Sequence, residues 1–418
     1  MLYLFKIALR NLSRNKFRSL ISILAIAVVV AIVIFTRGLL LGFTESSFRL
    51  VVDNQYGHVR ITDQEYQARE MLLTLDHTVD GFQGQGLSAM LEEIREVEGV
   101  EYLLPRLKFG AMASPGDDII RMAGIGIDPR LEEQHGALSG DITEGRMVEQ
   151  GREIIVGKGL REKLGAEIGA RVTILFSDAY QSFQGRTFTI VGIRETGVPM
   201  LDDSLFYLPL PEAQHMLYLE DEATEIMVFG SRLREADQLK NNITGLFAAR
   251  SGEEKYSVLA WDEADPLIEY LQVGVRIYDI IYVFIILLGA IVLINTMIMI
   301  TRERTAEIGM MGALGLKSRE ILQIFTLEGA VMGVLGSLLG VIPGGAITYY
   351  FSQVGLDYYA DMLEDIDVMM APEIYPVFSL ENLVISFILG AVITSLVSIW
   401  PARKAANLEP VDALHREI

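Results

Sequence analysis

The chain of 418 residues has no cysteine. This excludes disulfides, thiolate zinc sites, cysteine nucleophiles and a lipidated cysteine of its own. Its five histidines, His58, His77, His135, His215 and His415, are scattered without ligand spacing, so no metal site is expected. A Walker A loop is missing. The nearest pieces, Gly312-Ala-Leu-Gly-Leu-Lys-Ser318 and Gly157-Lys158-Gly159, lack either the glycine spacing or the Ser/Thr after lysine. There is no Gly-x-Ser-x-Gly elbow. The chain is therefore expected to have no catalytic residues, no metal and no directly bound cofactor. Excess positive charge is lacking too: the net charge is −20, which argues against a nucleic-acid partner. The long apolar runs carry no clustered Asp, Glu or His, as an ion-coupled transporter or intramembrane protease would require. Asp279 falls at the end of one run. Glu328 lies two turns into another, within reach of a base at the near flank.

What is present is apolar. Half of the residues (51%) are hydrophobic and the mean hydropathy is +0.34, high for a soluble chain and low for one wholly in a membrane. A few spanning helices plus a sizeable extramembrane domain fit these values. Residues 1–18 read as an amphipathic helix. Lys6, Arg10, Arg14 and Arg18 recur every four residues against Leu2, Phe5, Leu9 and Leu12, a pattern that lies on anionic membrane lipid. Four runs are long enough for a hydrocarbon core of about 30 Å: 19–43, the part of 273–300 beyond a stalk, 321–350 and 380–400. Ala25-Ile26-Ala27 mimics a signal cleavage site, but the apolar run continues past it. The third run carries Gly329, Gly333, Gly336 and Gly340, small-xxx-small spacings that let helix backbones approach. Pro343 is expected to kink or end its outer part, and Pro401 to stop the fourth run.

Between the first two runs, residues 44–272 hold roughly two acids for each base and no spanning segment. Short β-type runs alternate with helical ones. The predicted organisation is an α+β domain whose core covers 44–127 and 225–265, with a mainly β subdomain inserted over 128–224. Orientation follows from basic flanks. Residues 1–18, the 301–320 segment and the 401–418 tail are base-rich, whereas the 351–379 loop has acids and no base. Both termini and the 301–320 segment are then cytoplasmic, and the acidic domain lies outside the cytoplasmic membrane.

The organising stretch is 301–322, TRERTAEIGMMGALGLKSREIL. Residues 302–314 are predicted to form a short helix, Gly315 its stop, and Ser318 the cap of the third span with Glu320 in its first turn. Ile308, Met311 and Leu314 could form one apolar ridge, turned either to a cleft in a partner or back onto the second and third spans.

Here the residues carry a resemblance. Arg304-Thr-Ala-Glu307-Ile308-Gly309 through Leu314-Gly315, then Ile321 to Gly329, is similar to the signature of the MacB/LolC/LolE/FtsX group of ABC-transporter permeases. So are the tail from Pro401 to Leu414, the opening from Leu9 to Leu20, and Glu144-Gly-Arg with Ile154 to Leu160 in the outer domain. The implied fold is an α-helical membrane protein with four transmembrane helices and a large α+β extracytoplasmic domain, a MacB-like periplasmic core with an inserted mainly-β subdomain. The implied function is mechanotransmission. Two cytoplasmic ATPase subunits, which use ATP and Mg, drive a dimer of permeases whose outer domains move. The ATPase-coupling residues are then Arg304, Glu307, Ile308, Met311, Leu314 and Gly315. Length and the segments 191–197 and 208–214 resemble LolC/LolE-like chains, which implies extraction of lipoprotein substrate from the bacterial inner membrane for a periplasmic carrier. An FtsX-like scaffold for a cell-wall hydrolase and MacB-like efflux are the alternatives. The hairpin 176–186, with Tyr180 and Phe183 at its tip, is the candidate partner loop; it is short and lacks the proline of LolC-type hairpins.

Overall fold

The computed structural model describes residues 10, 14, 16–114, 118–250, 255–264, 266–314, 316–356 and 373–406. Most of the expected amphipathic helix, Gly315, the centre of the 351–379 loop and the tail after Ala406 lie outside the described residues. The chain divides into two compact units. One comprises Met1–Thr44, Leu271–Leu356 and Ile374–Ile418, the other Glu45–Tyr270 and Asp357–Glu373.

Four long helices carry the apolar runs: Lys16–Val51, Pro266–Glu303, Ser318–Val354 and Leu380–Ala406. Each contains a stretch long and apolar enough to cross a membrane. The first helix continues past the run 19–43 to Val51 and on as a π-turn, Val52–Tyr56. Pro343 and Pro401 both sit inside helices, so Pro401 does not stop the fourth run as expected. In hydrocarbon a freed backbone group finds no water, so continuing the helix around a proline costs less than ending it there.

The third helix packs through its glycines on two faces. A Cβ at Gly329 would lie 2.2 Å from Ser398 Cβ, and one at Gly333 2.0 Å from Thr394 Oγ1, both on the fourth helix. A Cβ at Gly336 would lie 2.7 Å from Ile26 Cβ, and one at Gly340 2.4 Å from the Ala27 carbonyl, both on the first helix. These approaches are closer than any side chain permits, and they supply the van der Waals contact that holds apolar helices together in lipid. Asn382 adds a buried hydrogen bond, its Nδ2 donating to the Ile34 carbonyl at 3.2 Å.

The other unit is built on ten strands: β1 Val59–Asp63, β2 Tyr102–Ala113, β3 Ile120–Ile127, β4 Ile142–Gly145, β5 Glu153–Gly157, β6 Arg171–Ser177, β7 Phe183–Arg194, β8 Leu205–Pro209, β9 Glu225–Phe229 and β10 Tyr256–Ala260. They form one sheet in the order β10-β1-β9-β2-β3-β8-β5-β7-β4, while β6 pairs with both β2 and β7. The last pairing closes a ring through β2, β3, β8, β5, β7 and β6. The strands β4 to β8 of the predicted inserted subdomain, 128–224, continue the same sheet. The cause is the length of β2: Tyr102–Arg106 pair with β9, and Ala111–Ala113 pair with β6. One strand thus belongs to both halves. Phe109, Phe176 and Phe206 fill the ring interior edge to face. Gly124 on β3 makes room for them, since a Cβ there would fall 2.2 Å from the Phe109 ring. The helices Leu87–Arg95 and Ala236–Ala249 add apolar faces, Leu87, Met90 and Ile94 on one, Leu239, Ile243 and Phe247 on the other, to the same core.

Candidate functional site

The connection between the second and third spanning helices is short and fully charged at its start. The second helix ends at Glu303, Arg304 forms a turn, and a separate helix runs over Thr305–Ala313. Arg302 and Glu303 therefore belong to the spanning helix and not to the short one, unlike the expected 302–314 helix. Lys317, rather than Ser318, is the N-cap of the third helix. Its backbone is extended, and its N–H donates to the Glu320 carboxylate at 2.9 Å.

Charges tie this segment to its neighbours. Arg304 is buried and donates through Nε to Glu307 Oε2 at 2.9 Å, while its Nη1 reaches Glu328 Oε1 at 3.5 Å. Glu328 is buried as well, so its charge is held by a base from the flank, in line with the polar contact expected for it. Arg14 Nη2 donates to both oxygens of Glu307, at 2.5 Å to Oε1 and 2.7 Å to Oε2, and Arg18 pairs with Glu303. Burial works to raise the Glu307 pKa, but the hydrogen bonds from Arg304 and Arg14 outweigh it and hold the carboxyl below its ordinary range. The result is a chain of alternating charge, Arg14, Glu307, Arg304, Glu328, linking three segments of the sequence. Its exposed members are screened by solvent. The buried Arg304–Glu328 end fixes the segment's rotation about its axis.

That rotation decides which apolar side chains face outward. Ile308 is only 2% exposed and packs with Leu293, Met297, Ile321, Phe325 and Ala402, and Met311 lies partly buried against the same cluster. Of the three ridge residues, only Leu314 faces outward, at 83% exposed. Its outward companion is Met310, one turn earlier and 52% exposed, which the sequence reading missed. Ile308 and Met311 thus pack back onto the spans, while Leu314 does not. The miss has a local cause. At about 100° per residue, Leu314 stands roughly 120° around the helix from Ile308, so a three-residue spacing drifts off the face by its second step. The i, i+4 spacing of Met310 and Leu314 was the available signal.

On the outer unit, the β6–β7 hairpin ends in a tight loop. The buried Asp178 carboxylate accepts from Tyr180 N at 3.0 Å, Ser182 N at 2.9 Å and Gln184 Nε2 at 2.7 Å. This holds Tyr180 and Phe183 out to solvent, and the Tyr180 ring leans on Tyr218, centroids 5.9 Å apart. Among the described residues, no group of three or more His, Cys, Asp or Glu is placed to hold a metal ion.

Four packed apolar helices, with a large single-sheet domain between the first and second, define a multi-pass membrane protein with an α+β extramembrane domain. A model of the MacB-like periplasmic core domain matches residues 19–246, and one of the FtsX-like permease C-terminal region matches residues 280–410. The chain belongs to this family, the ABC-transporter permeases of the MacB/LolC/FtsX type. Similar relatives include the lipoprotein-releasing system transmembrane protein LolC of Neisseria meningitidis, 26% identical over 63% of this chain and 65% of its own length. LolC of Xylella fastidiosa is 24% identical over 70% and 72%. The macrolide export ATP-binding/permease protein MacB of Campylobacter jejuni is 26% identical over 56% of this chain and 35% of its own. The chain thus spans about two thirds of the LolC relatives' length. The crystal structure of the periplasmic region of MacB from Actinobacillus actinomycetemcomitans aligns with 50% of this chain and 92% of its own at 13% identity, TM-score 0.36.

Proposed function

We propose that this chain is the non-catalytic membrane subunit of an ATP-driven complex that extracts lipoproteins from the inner membrane. Two cytoplasmic ATPase subunits dock on the connection between the second and third helices, and a second permease subunit completes the dimer. The termini lie in the cytoplasm and the β-sheet domain in the periplasm, in keeping with the basic flanks. The observation that carries this reading is the short helix Thr305–Ala313. It is pinned by Arg304–Glu328 and presents the apolar pair Met310 and Leu314 on an exposed face. A pinned helix with an outward apolar face passes a push from a bound partner to the spans without dissipating it in local motion. The lipoprotein cargo rests on what the LolC relatives are named for. Tyr180 and Phe183 are the surface offered to a periplasmic carrier. Depletion of the chain in its own host, followed by membrane fractionation, tests the cargo. Outer-membrane lipoproteins accumulate in the inner membrane if the reading is right, and their normal distribution overturns it.

A further inference from the structure

The end of the first spanning helix carries an unusual construction. The helix passes without a break from Val51 into the π-turn Val52–Tyr56, and Gly57, with φ +65°, ends it. π-turns are rare, and they concentrate where a helix performs a task. Two arginines converge on one residue of this turn. Arg106 of β2 donates through Nη1 to the Asn54 carbonyl at 2.6 Å, and Arg194 of β7 donates through Nη2 to Asn54 Oδ1. Both guanidinium groups are essentially inaccessible to solvent. Each is also anchored in the domain. Arg106 forms a forked pair with Glu132, at 2.9 and 3.2 Å. Arg194 holds Asp141 at 2.6 Å and the Tyr207 hydroxyl at 2.5 Å. Asn54 Nδ2 closes the set by donating back to the Leu50 carbonyl of its own helix at 2.8 Å. Phe48 and Val51, on the turns before, pack with Trp261, Leu201 and Val198.

This is more polar machinery than fixing a helix end needs, because apolar packing alone would fix it. What planar, multiply bonded guanidinium groups add is direction. Sliding or rotating the helix end breaks several charge-assisted bonds at once. The two arginines also stand on different parts of the sheet, β2 shared by both halves and β7 within the ring. Resting on the proposed function, we propose that Asn54 is the joint at which movement of the first spanning helix enters the outer domain, with Arg106 and Arg194 as positioning residues that make this joint stiff.

The chain's lack of cysteine allows a direct test. Spin labels are placed at Glu45→Cys on the helix and Glu149→Cys on the domain, both exposed, in the full chain co-expressed with its ATPase and reconstituted in nanodiscs. The parent should give one narrow distance distribution. Asn54→Leu should broaden it and leave ATP hydrolysis running without lipoprotein release. Asn54→Asp keeps the acceptor for Arg194 and should stay narrow. If Asn54→Leu does not fold, Arg194→Lys, which keeps the charge but not the fork, should give an intermediate width. An unchanged distribution in the variant that folds overturns the joint, whatever the cargo. A parent that hydrolyses ATP and keeps a narrow distribution, which Asn54→Leu broadens, while releasing no lipoprotein overturns the cargo reading and leaves the joint standing.

Discussion

Replacing Ile308 and Leu314 in turn by aspartate separates packing from docking. Ile308 is 2% exposed among side chains of three spanning helices. Losing its burial costs about 1.5–3 kcal/mol. Placing a carboxylate there without a partner adds about as much again or more. Together this is on the order of the 5–15 kcal/mol that keeps a protein folded, so Ile308→Asp should fail to accumulate or melt far below the parent. Leu314 is 83% exposed, and a substitution there should change stability by no more than about 0.5 kcal/mol. Its effect should appear only with the ATPase. The assay is a thermal melt of the detergent-solubilised chain beside co-purification of the ATPase and its stimulation by the permease. Leu314→Asp should melt with the parent and lose the ATPase, and a double change with Met310→Asp should deepen that loss. Parent-like melting of Ile308→Asp, or full coupling in the Met310→Asp, Leu314→Asp double variant, would refute the reasoning.

Two further outcomes follow from the same coordinates. Gly340→Val forces atoms onto the Ala27 carbonyl, 2.4 Å from where its Cβ would stand. It should cost about 1–3 kcal/mol, read as a lower melting temperature of the solubilised chain, and unchanged melting would show that the first and third helices are not in this contact. Asp53, next to the joint, has its pKa raised from 3.8 to about 6, first by burial and then by Asp141, against the pull of Arg49 and Arg106. The folded state thus holds its proton more tightly than the unfolded one, and stability falls as pH rises through roughly 4 to 6. Asp53→Asn should therefore stabilise the domain at pH 7.5 by up to roughly 3 kcal/mol and give almost nothing near pH 4; an equal gain at both would exclude this origin.

The pattern of apolar runs was enough to read four spans, because a run of some twenty apolar residues has few other fates in water. The alternation of short β-type runs in the outer domain was also legible, as were the glycines of the third helix by type and spacing. Their partners were not. Which face of that helix meets the first helix and which the fourth depends on the rotation of all three. The unity of the ten-stranded sheet was hidden for a similar reason, since it rests on the two pairings of β2, which join residues far apart in the chain. So was the fate of Pro401, where the missing solvent outweighs a local preference.

By itself the sequence determined the number of spans and the family to which its charged connection belongs. Those are properties of composition, spacing and order, which survive without coordinates. The tertiary structure alone decided that Ile308 faces inward and Met310 and Leu314 outward, and that Asn54 receives two buried arginines. Both depend on the angular phase of a helix and on side chains converging from distant strands, which spacing in the sequence does not fix.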